Sequence, residues 1–289
     1  MTTINRRAFI GKVAMGAGGA IVLAHLPAQL LAQARLLNMP IGFQTWSVKD
    51  LLAKDFEGTM KMMADQGYQI TEMCSPKGYK DAGFGSLVGM KTTDLRKKIE
   101  DAGLTCPSCH FGFHELTDDL DDRIDFASEL GLSQMICSSF GLPKTATLND
   151  YLMAADKMNK AADRIKKAGL QAGYHNHEME FAKLNGKLIY DELMGRFDPD
   201  LVMMQFQTEV INLGYKAADY FKKYPGRFIS SHLSDWTKDK KEVTIGQGVI
   251  DWKEFFSAAQ KGGVRNFFVE MEKDKFKDSS QYIKSLSIA

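Results

Sequence analysis

The stretch Leu170-Gln-Ala-Gly-Tyr174-His175-Asn176-His177-Glu-Met-Glu-Phe181 decides how the chain is read. Leu170 to Tyr174 is a short apolar run that follows a helical stretch and its Gly169 stop, the pattern of a buried parallel strand. Side chains alternate along a strand, so His175 and His177 point to one side and Tyr174 and Asn176 to the other. Two imidazoles at one strand end can aim at a common point. Alone they read better as a hydrogen-bonded pair at the surface; other strands end in groups of the same kind, and that shifts the reading.

Working outward, apolar runs alternate with amphipathic helical stretches. Strands are predicted at 40–47, 69–74, 104–111, 134–140, 170–176, 201–207, 227–233 and 266–271. Helices are predicted at 56–66, 93–102, 120–130, 148–168, 190–196, 215–223, 252–261 and 280–286, several closed by glycine (Gly67, Gly103, Gly131). Alternating β and α implies a parallel sheet covered by helices. Eight such units in about 250 residues match a single (β/α)8 TIM barrel. A doubly wound sheet is the competing topology, but no G-x-G-x-x-G follows the first strand.

The first 34 residues differ in kind. Arg6-Arg7 precedes a Gly/Ala-rich apolar stretch from Val13 to Leu31, and Ala32-Gln33-Ala34 resembles a cleavage site, the form of a twin-arginine export signal. The expectation is a signal at 1–34, a barrel at 35–289 and a periplasmic location. Cleavage would remove three of the 37 basic residues and none of the 36 acidic ones, leaving a net charge of −2. That offers no basic field for nucleic acid, and no later stretch is long and apolar enough for a stable membrane anchor. Hydrophobic and charged shares of 44% and 25% are those of an ordinary globular chain. Cys106 and Cys109 lie three apart in a predicted strand, facing opposite ways, so Cys74, Cys106, Cys109 and Cys137 are read as buried thiols.

A TIM barrel places its active site at the C-terminal ends of its strands. Those ends carry Glu72, His110, His175 with His177, Gln205 with Gln207, His232 with Asp235, and Glu270 with Glu272. Four of the five histidines beyond residue 34 fall there. Imidazole, carboxylate and amide oxygen suit one divalent ion such as Mn, Co, Zn or Mg. Asp235 reads as a partner for the free ring nitrogen of His232, and His177 as a support for His175 or a proton carrier. Trp46, Phe111, Phe206 and Trp236 read as core or as sugar-stacking surfaces, and Gly246-Gln-Gly248 as a loop-shaping element.

Tyr174-His-Asn-His177-Glu-Met-Glu-Phe181, His232-Leu-Ser-Asp235-Trp236, Gly246-Gln-Gly-Val-Ile-Asp251-Trp252 and Val269-Glu270-Met271 resemble the xylose-isomerase-like TIM barrels, which include sugar phosphate isomerases/epimerases. In the epimerase branch the resemblance implies one metal held by Glu, Asp, His and Glu from strands five to eight. His232 and Glu270 match the last two, whereas His175 and Gln207 stand where the first Glu and the Asp would be. With one carboxylate the ion keeps net positive charge and is a stronger Lewis acid. The resemblance therefore implies a metal-dependent sugar isomerase/epimerase that removes a proton next to a carbonyl. Glu270 would be the base, with Glu72, His110 or His177 as its partner. Export favours a non-phosphorylated sugar or glycoside. A 3-keto-glycoside lyase or hydratase using the same enediolate is the alternative, and a non-catalytic sugar-binding barrel the second. Oligomerisation is compatible with either.

Overall fold

The computed structural model describes residues 39–286; the expected export segment lies outside the described residues. Eight strands close into one barrel: β1 Ile41–Gln44, β2 Ile70–Cys74, β3 Thr105–Phe111, β4 Gln134–Cys137, β5 Gln171–His175, β6 Val202–Gln207, β7 Phe228–Leu233 and β8 Asn266–Val269. Each pairs in parallel with its sequence neighbours, and β8 closes on β1 through Ile41 opposite Phe267 and Phe43 opposite Val269. The expected (β/α)8 architecture is the observed one.

Helices follow the strands: α1 Phe56–Asp65, α2 Thr92–Asp101, α3 Leu120–Leu130, α4 Leu148–Lys167, α5 Ile189–Arg196, α6 Ala217–Lys223, α7 Trp252–Gly262 and α8 Phe276–Leu286. Their starts are written locally. Asp55 accepts the Gly58 N–H at 2.9 Å, Asp251 accepts that of Glu254 at 3.0 Å, and Thr147 with Asp150 forms a reciprocal capping box. Gly131 ends α3 at φ 84°, where a side chain would be strained.

The main apolar core lies between strands and helices. Tyr174 faces outward into it, 4.5 Å from the Phe140 ring and 5.3 Å from Phe197. Phe111 and Phe206, expected as core or as sugar platforms, are fully buried there. All four cysteines are free and buried. The inside of the barrel differs. Its upper layer is polar, with Gln44, Glu72, Ser108, Gln205, Ser230 and His232 all at 0% exposure. A barrel that buries this many polar groups must bond them to one another, and that requirement shapes the site.

Several boundaries depart from the sequence expectation; the fourth strand, expected to reach residue 140, stops at Cys137, and the eighth, expected to reach 271, stops at Val269. The first strand stops at Gln44, because Thr45–Val48 turns into a 3-10 helix capped by the Gln44 side chain. The last helix begins earlier than predicted, at Phe276, whose buried ring packs 5.7 Å from Tyr68.

Candidate functional site

The site is assembled by parity. Alternate residues of a barrel strand point inward, so β3 presents Ser108 and His110, β6 presents Gln205 and Gln207, and β7 presents Ser230 and His232. These meet Glu72 from β2, His175 from β5 and Glu270 just past β8.

His232 is the hub. Its Nε2 lies 2.5 Å from Glu72 Oε2 and its Nδ1 2.7 Å from Glu270 Oε2, so one imidazole joins two carboxylates. Glu72 is saturated below. It accepts from Gln44 Nε2 at 2.6 Å, Ser108 Oγ at 2.5 Å and Gln205 Nε2 at 2.7 Å in addition to His232. Burial opposes its charge, but the facing His110 and His232 and the bonds it accepts outweigh that, and its pKa falls to about 2. For His232 burial also opposes charge, and Glu270 with Glu72 outweighs it, pushing its pKa up to about 10. Glu270 is held below the usual carboxylate range, the His232 charge overcoming its own burial. Glu72, His232 and Glu270 thus form a charged triad with the imidazolium in the middle.

Burial disfavours the charged form of the other imidazoles. His110 Nε2 meets Gln205 Oε1 at 2.6 Å, and burial holds its pKa down. His175 is 2% exposed, its Nδ1 has no hydrogen-bond partner, and burial keeps it well below the usual histidine range. Its ring centroid lies 4.4 Å from that of His232 and 4.7 Å from that of His177. His177 also has an unpartnered Nδ1, and burial lowers its pKa to about 4 although Glu270 pulls the other way. The His177 backbone N–H is fixed on Glu180 Oε2 at 2.7 Å, and Tyr174 donates to Glu180 Oε1 at 2.8 Å. Gln207 Nε2 donates to Glu270 Oε2 at 2.7 Å.

An open cleft of about 750 Å³ lies above this layer, and His177, Gln207 and Glu270 form part of its floor. Of the four groups expected to move protons, Glu270 and His177 reach the cleft. Glu72 and His110 do not: they lie beneath it, at 0% and 6% exposure, bonded within the barrel. Their expected role as proton partners of a substrate is corrected on that ground.

Asp235 is a second correction. It was read as holding His232, whose two ring nitrogens are instead taken by Glu72 and Glu270. Asp235 is fully buried and turns toward its own loop. It accepts the N–H groups of Gly246 at 2.8 Å, Gly248 at 3.1 Å, Trp236 at 2.9 Å and the Trp252 indole at 2.9 Å. A Cβ on Gly248 would come within 2.1 Å of the Asp235 carboxylate, so the Gly246–Gly248 segment shapes the loop as expected. Gln44 and Ser108 were missed as members of the network. Inward parity on strands one and three was the signal available for them.

The donors fit a divalent ion. One nitrogen each of His110, His175 and His232 lie within 4.8 Å of one another, and the bare Nδ1 of buried His175 is a cost that coordination would remove. Two of these three are otherwise engaged: His110 by Gln205, and His232 at both nitrogens. The expected set of His175, Gln207, His232 and Glu270 shares His175 and His232 with that trio and adds the accessible carboxylate.

Comparison with known proteins places the chain. An inosose dehydratase from Geobacillus thermodenitrificans is 23% identical, across 73% of this chain and 86% of that protein. A sugar phosphate isomerase/epimerase from Parabacteroides distasonis superposes with a TM-score of 0.74 at 24% identity, covering 94% of this chain and 98% of that one. The IOLI protein, solved with a bound zinc atom, superposes with a TM-score of 0.61 at 13% identity, covering 86% of this chain and 95% of that one. These two likenesses are likenesses of fold. The family model described as xylose isomerase-like TIM barrel matches residues 57–287, and the chain belongs to that family.

Proposed function

We propose that this protein is a sugar lyase that removes a proton next to a carbonyl of a keto-sugar and expels the oxygen substituent one carbon further on. The observation that carries the reading is the cleft floor. Of the two carboxylates bonded to His232, Glu270 lines the cleft beside the imidazole of His177, while Glu72 is sealed beneath it. An epimerase acting with two opposed carboxylates would need Glu72 or its equivalent at the substrate. An elimination needs one group that takes a proton and returns it. The name of the inosose dehydratase relative, an elimination of water, supports the same reading.

His177 has the properties of that group. Burial keeps its imidazole neutral at ordinary pH, and the nearby Glu270 carboxylate favours the imidazolium once a proton arrives; its Nδ1 is buried, so Nε2 is the nitrogen that would meet substrate. The α C–H proton passes to His177, the carbon–oxygen bond breaks as the C=C bond forms, and the leaving oxygen takes the proton back from His177. Glu72 fixes His232 through Nε2, which leaves Nδ1 as the nitrogen directed at Glu270. The divalent metal would be held by Glu270 with His175, Gln207 and, once its Nδ1 gives up its proton, His232; when bound it would polarise the substrate carbonyl and make the adjacent C–H more acidic. Zinc in the IOLI protein supports an ion of this class.

The substrate is a small sugar or glycoside. Arg6-Arg7 and the Ala32-Gln33-Ala34 exit support action outside the cytoplasm, which replacement of both arginines by lysine would block. The reaction is tested by offering the metal-loaded protein a 3-keto-glycoside and an inosose and following the ultraviolet absorbance of an unsaturated ketone. Its appearance with either is expected. No new absorbance with both would overturn the reading.

A further inference from the structure

The cleft is larger than a reaction at one sugar ring requires. Its volume of about 750 Å³ lies in the upper part of the usual ~300–1,000 Å³ range for ligand clefts. Beyond Glu270 and His177 its walls are Trp46, Trp236, Glu209 and Glu242. Trp46 is 39% exposed yet held in place, with Lys49 Nζ 3.7 Å from its ring centroid and Tyr79 meeting it edge-on at 5.9 Å. Trp236 is tied through its indole N–H to Ser234 Oγ at 3.0 Å. Two indoles fixed before any ligand arrives lose little freedom on binding, and an apolar ring face suits the C–H face of a sugar or an aromatic ring.

The charges on these walls are mainly negative: Glu209, Glu242, Glu270, Glu272 and Asp274 outnumber Lys49 and Lys273. Glu209 is half-buried, and among the described residues no donor reaches its carboxylate; the charges that act on it are those of Glu178, Glu270 and Glu242. A carboxylate in that setting is an acceptor waiting for hydroxyl or N–H donors. Glu242 accepts the Glu272 N–H at 2.7 Å, with Lys275 4.0 Å away. Of the two lysines that line the cleft, Lys273 is paired with Asp50, and Lys49 lies over one face of Trp46, a single cation without a carboxylate partner among the described residues. Nothing on these walls offers the paired cation or cluster of N–H donors that a phosphate needs.

We propose that the outer cleft is a subsite for a second, uncharged ring, a sugar or an aromatic aglycone, and that it excludes phosphorylated sugars. The proposal rests on the reading that the inner cleft takes the reacting sugar ring. Trp46 and Trp236 supply the stacking surfaces, Glu209 accepts hydroxyl hydrogens, and the surrounding carboxylates repel an anion.

The test is a set of binding titrations on the purified full chain, read by calorimetry, with phenyl β-glucoside, methyl β-glucoside and glucose 6-phosphate. These compounds carry no keto group, so binding is read apart from turnover. The phenyl glycoside should bind at least about tenfold more tightly than the methyl glycoside, and glucose 6-phosphate at least about tenfold more weakly. Trp46→Ala and Trp236→Ala should each shrink the phenyl-to-methyl ratio, and Glu209→Gln should shrink the penalty on the phosphate. Phosphate binding as tight as the methyl glycoside, a phenyl-to-methyl ratio near one, or no binding of any probe would each overturn the proposal. If the order holds but keto-sugars are not turned over, the subsite stands and the proposed reaction falls; turnover without the order does the reverse.

Discussion

Glu72 and His232, 160 residues apart in sequence, meet inside the barrel through a 2.5 Å hydrogen bond from which water is excluded. A charged pair at 0% exposure survives only if every remaining lone pair and proton is satisfied. Gln44, Ser108 and Gln205 do this for Glu72, and Glu270 does it for His232. The two carboxylates of the triad therefore do different work: Glu72 orients, and Glu270 faces the cleft.

Removing Glu72 should be costly to the fold. Glu72→Ala leaves three donors and one side of the imidazolium unmatched, and should destabilise the protein by about 3–5 kcal/mol in denaturant titrations. The effect has a pH window. The Glu72 pKa is about 2 when folded against ~4.3 unfolded, so its contribution is full above the unfolded value and fades as pH falls toward 2. The His232 pKa is about 10 when folded against ~6.5 unfolded, so its share is full below the unfolded value and fades as pH rises toward 10. The gap between wild type and variant should be widest from about pH 4.5 to 6.5. A gap that does not change with pH would show that the pair is not ionised.

His177→Ala should lower kcat by about a hundredfold or more, the usual span for loss of a general base, with bound metal unchanged. In the wild type kcat/KM should rise through an acid limb near pH 4, because the base must be neutral and burial sets its pKa there. An acid limb retained in the variant would assign the titration to another group.

His232→Ala and Glu270→Gln should each lose the bound divalent ion, and chelation of the wild type should abolish turnover. Converting His175 to Glu and Gln207 to Asp should tighten metal binding and slow turnover, since added negative charge weakens polarisation of the carbonyl. Full metal content in His232→Ala would misplace the centre.

Asp235→Ala removes the acceptor of the Gly246, Gly248 and Trp236 N–H groups and the Trp252 indole. It should cost about 3 kcal/mol and raise KM more than it lowers kcat, because the neighbouring Trp236 lines the cleft and takes no part in the proton transfer. An unchanged KM would separate the loop from substrate binding.

The barrel was legible in the sequence because its signals are local. Apolar runs such as Leu170–Tyr174 and glycine stops such as Gly131 each act within a few residues. The concentration of His110, His175, His177 and His232 at strand ends was visible for the same reason. What was not visible is pairing. Whether Glu72 faces substrate or His232 depends on barrel closure and on strand register, which set a β2 side chain against a β7 side chain. Asp235 was misread for a related reason: its partners, Gly246 to Trp252, come from a loop that folds back on it. Gln44 was overlooked because the first strand was drawn three residues too long, which hid that its side chain marks the strand's end.

The central claim is that His177 moves a proton from carbon to a leaving oxygen in a cleft from which Glu72 is sealed off. Proton NMR of the metal-loaded protein with a 3-keto-glycoside in deuterium oxide tests it most directly. The account predicts release of the aglycone, formation of a ketone unsaturated between C1 and C2, and loss of both in His177→Ala. Exchange of the C2 proton for deuterium with no aglycone released, or unimpaired release by His177→Ala, would contradict it.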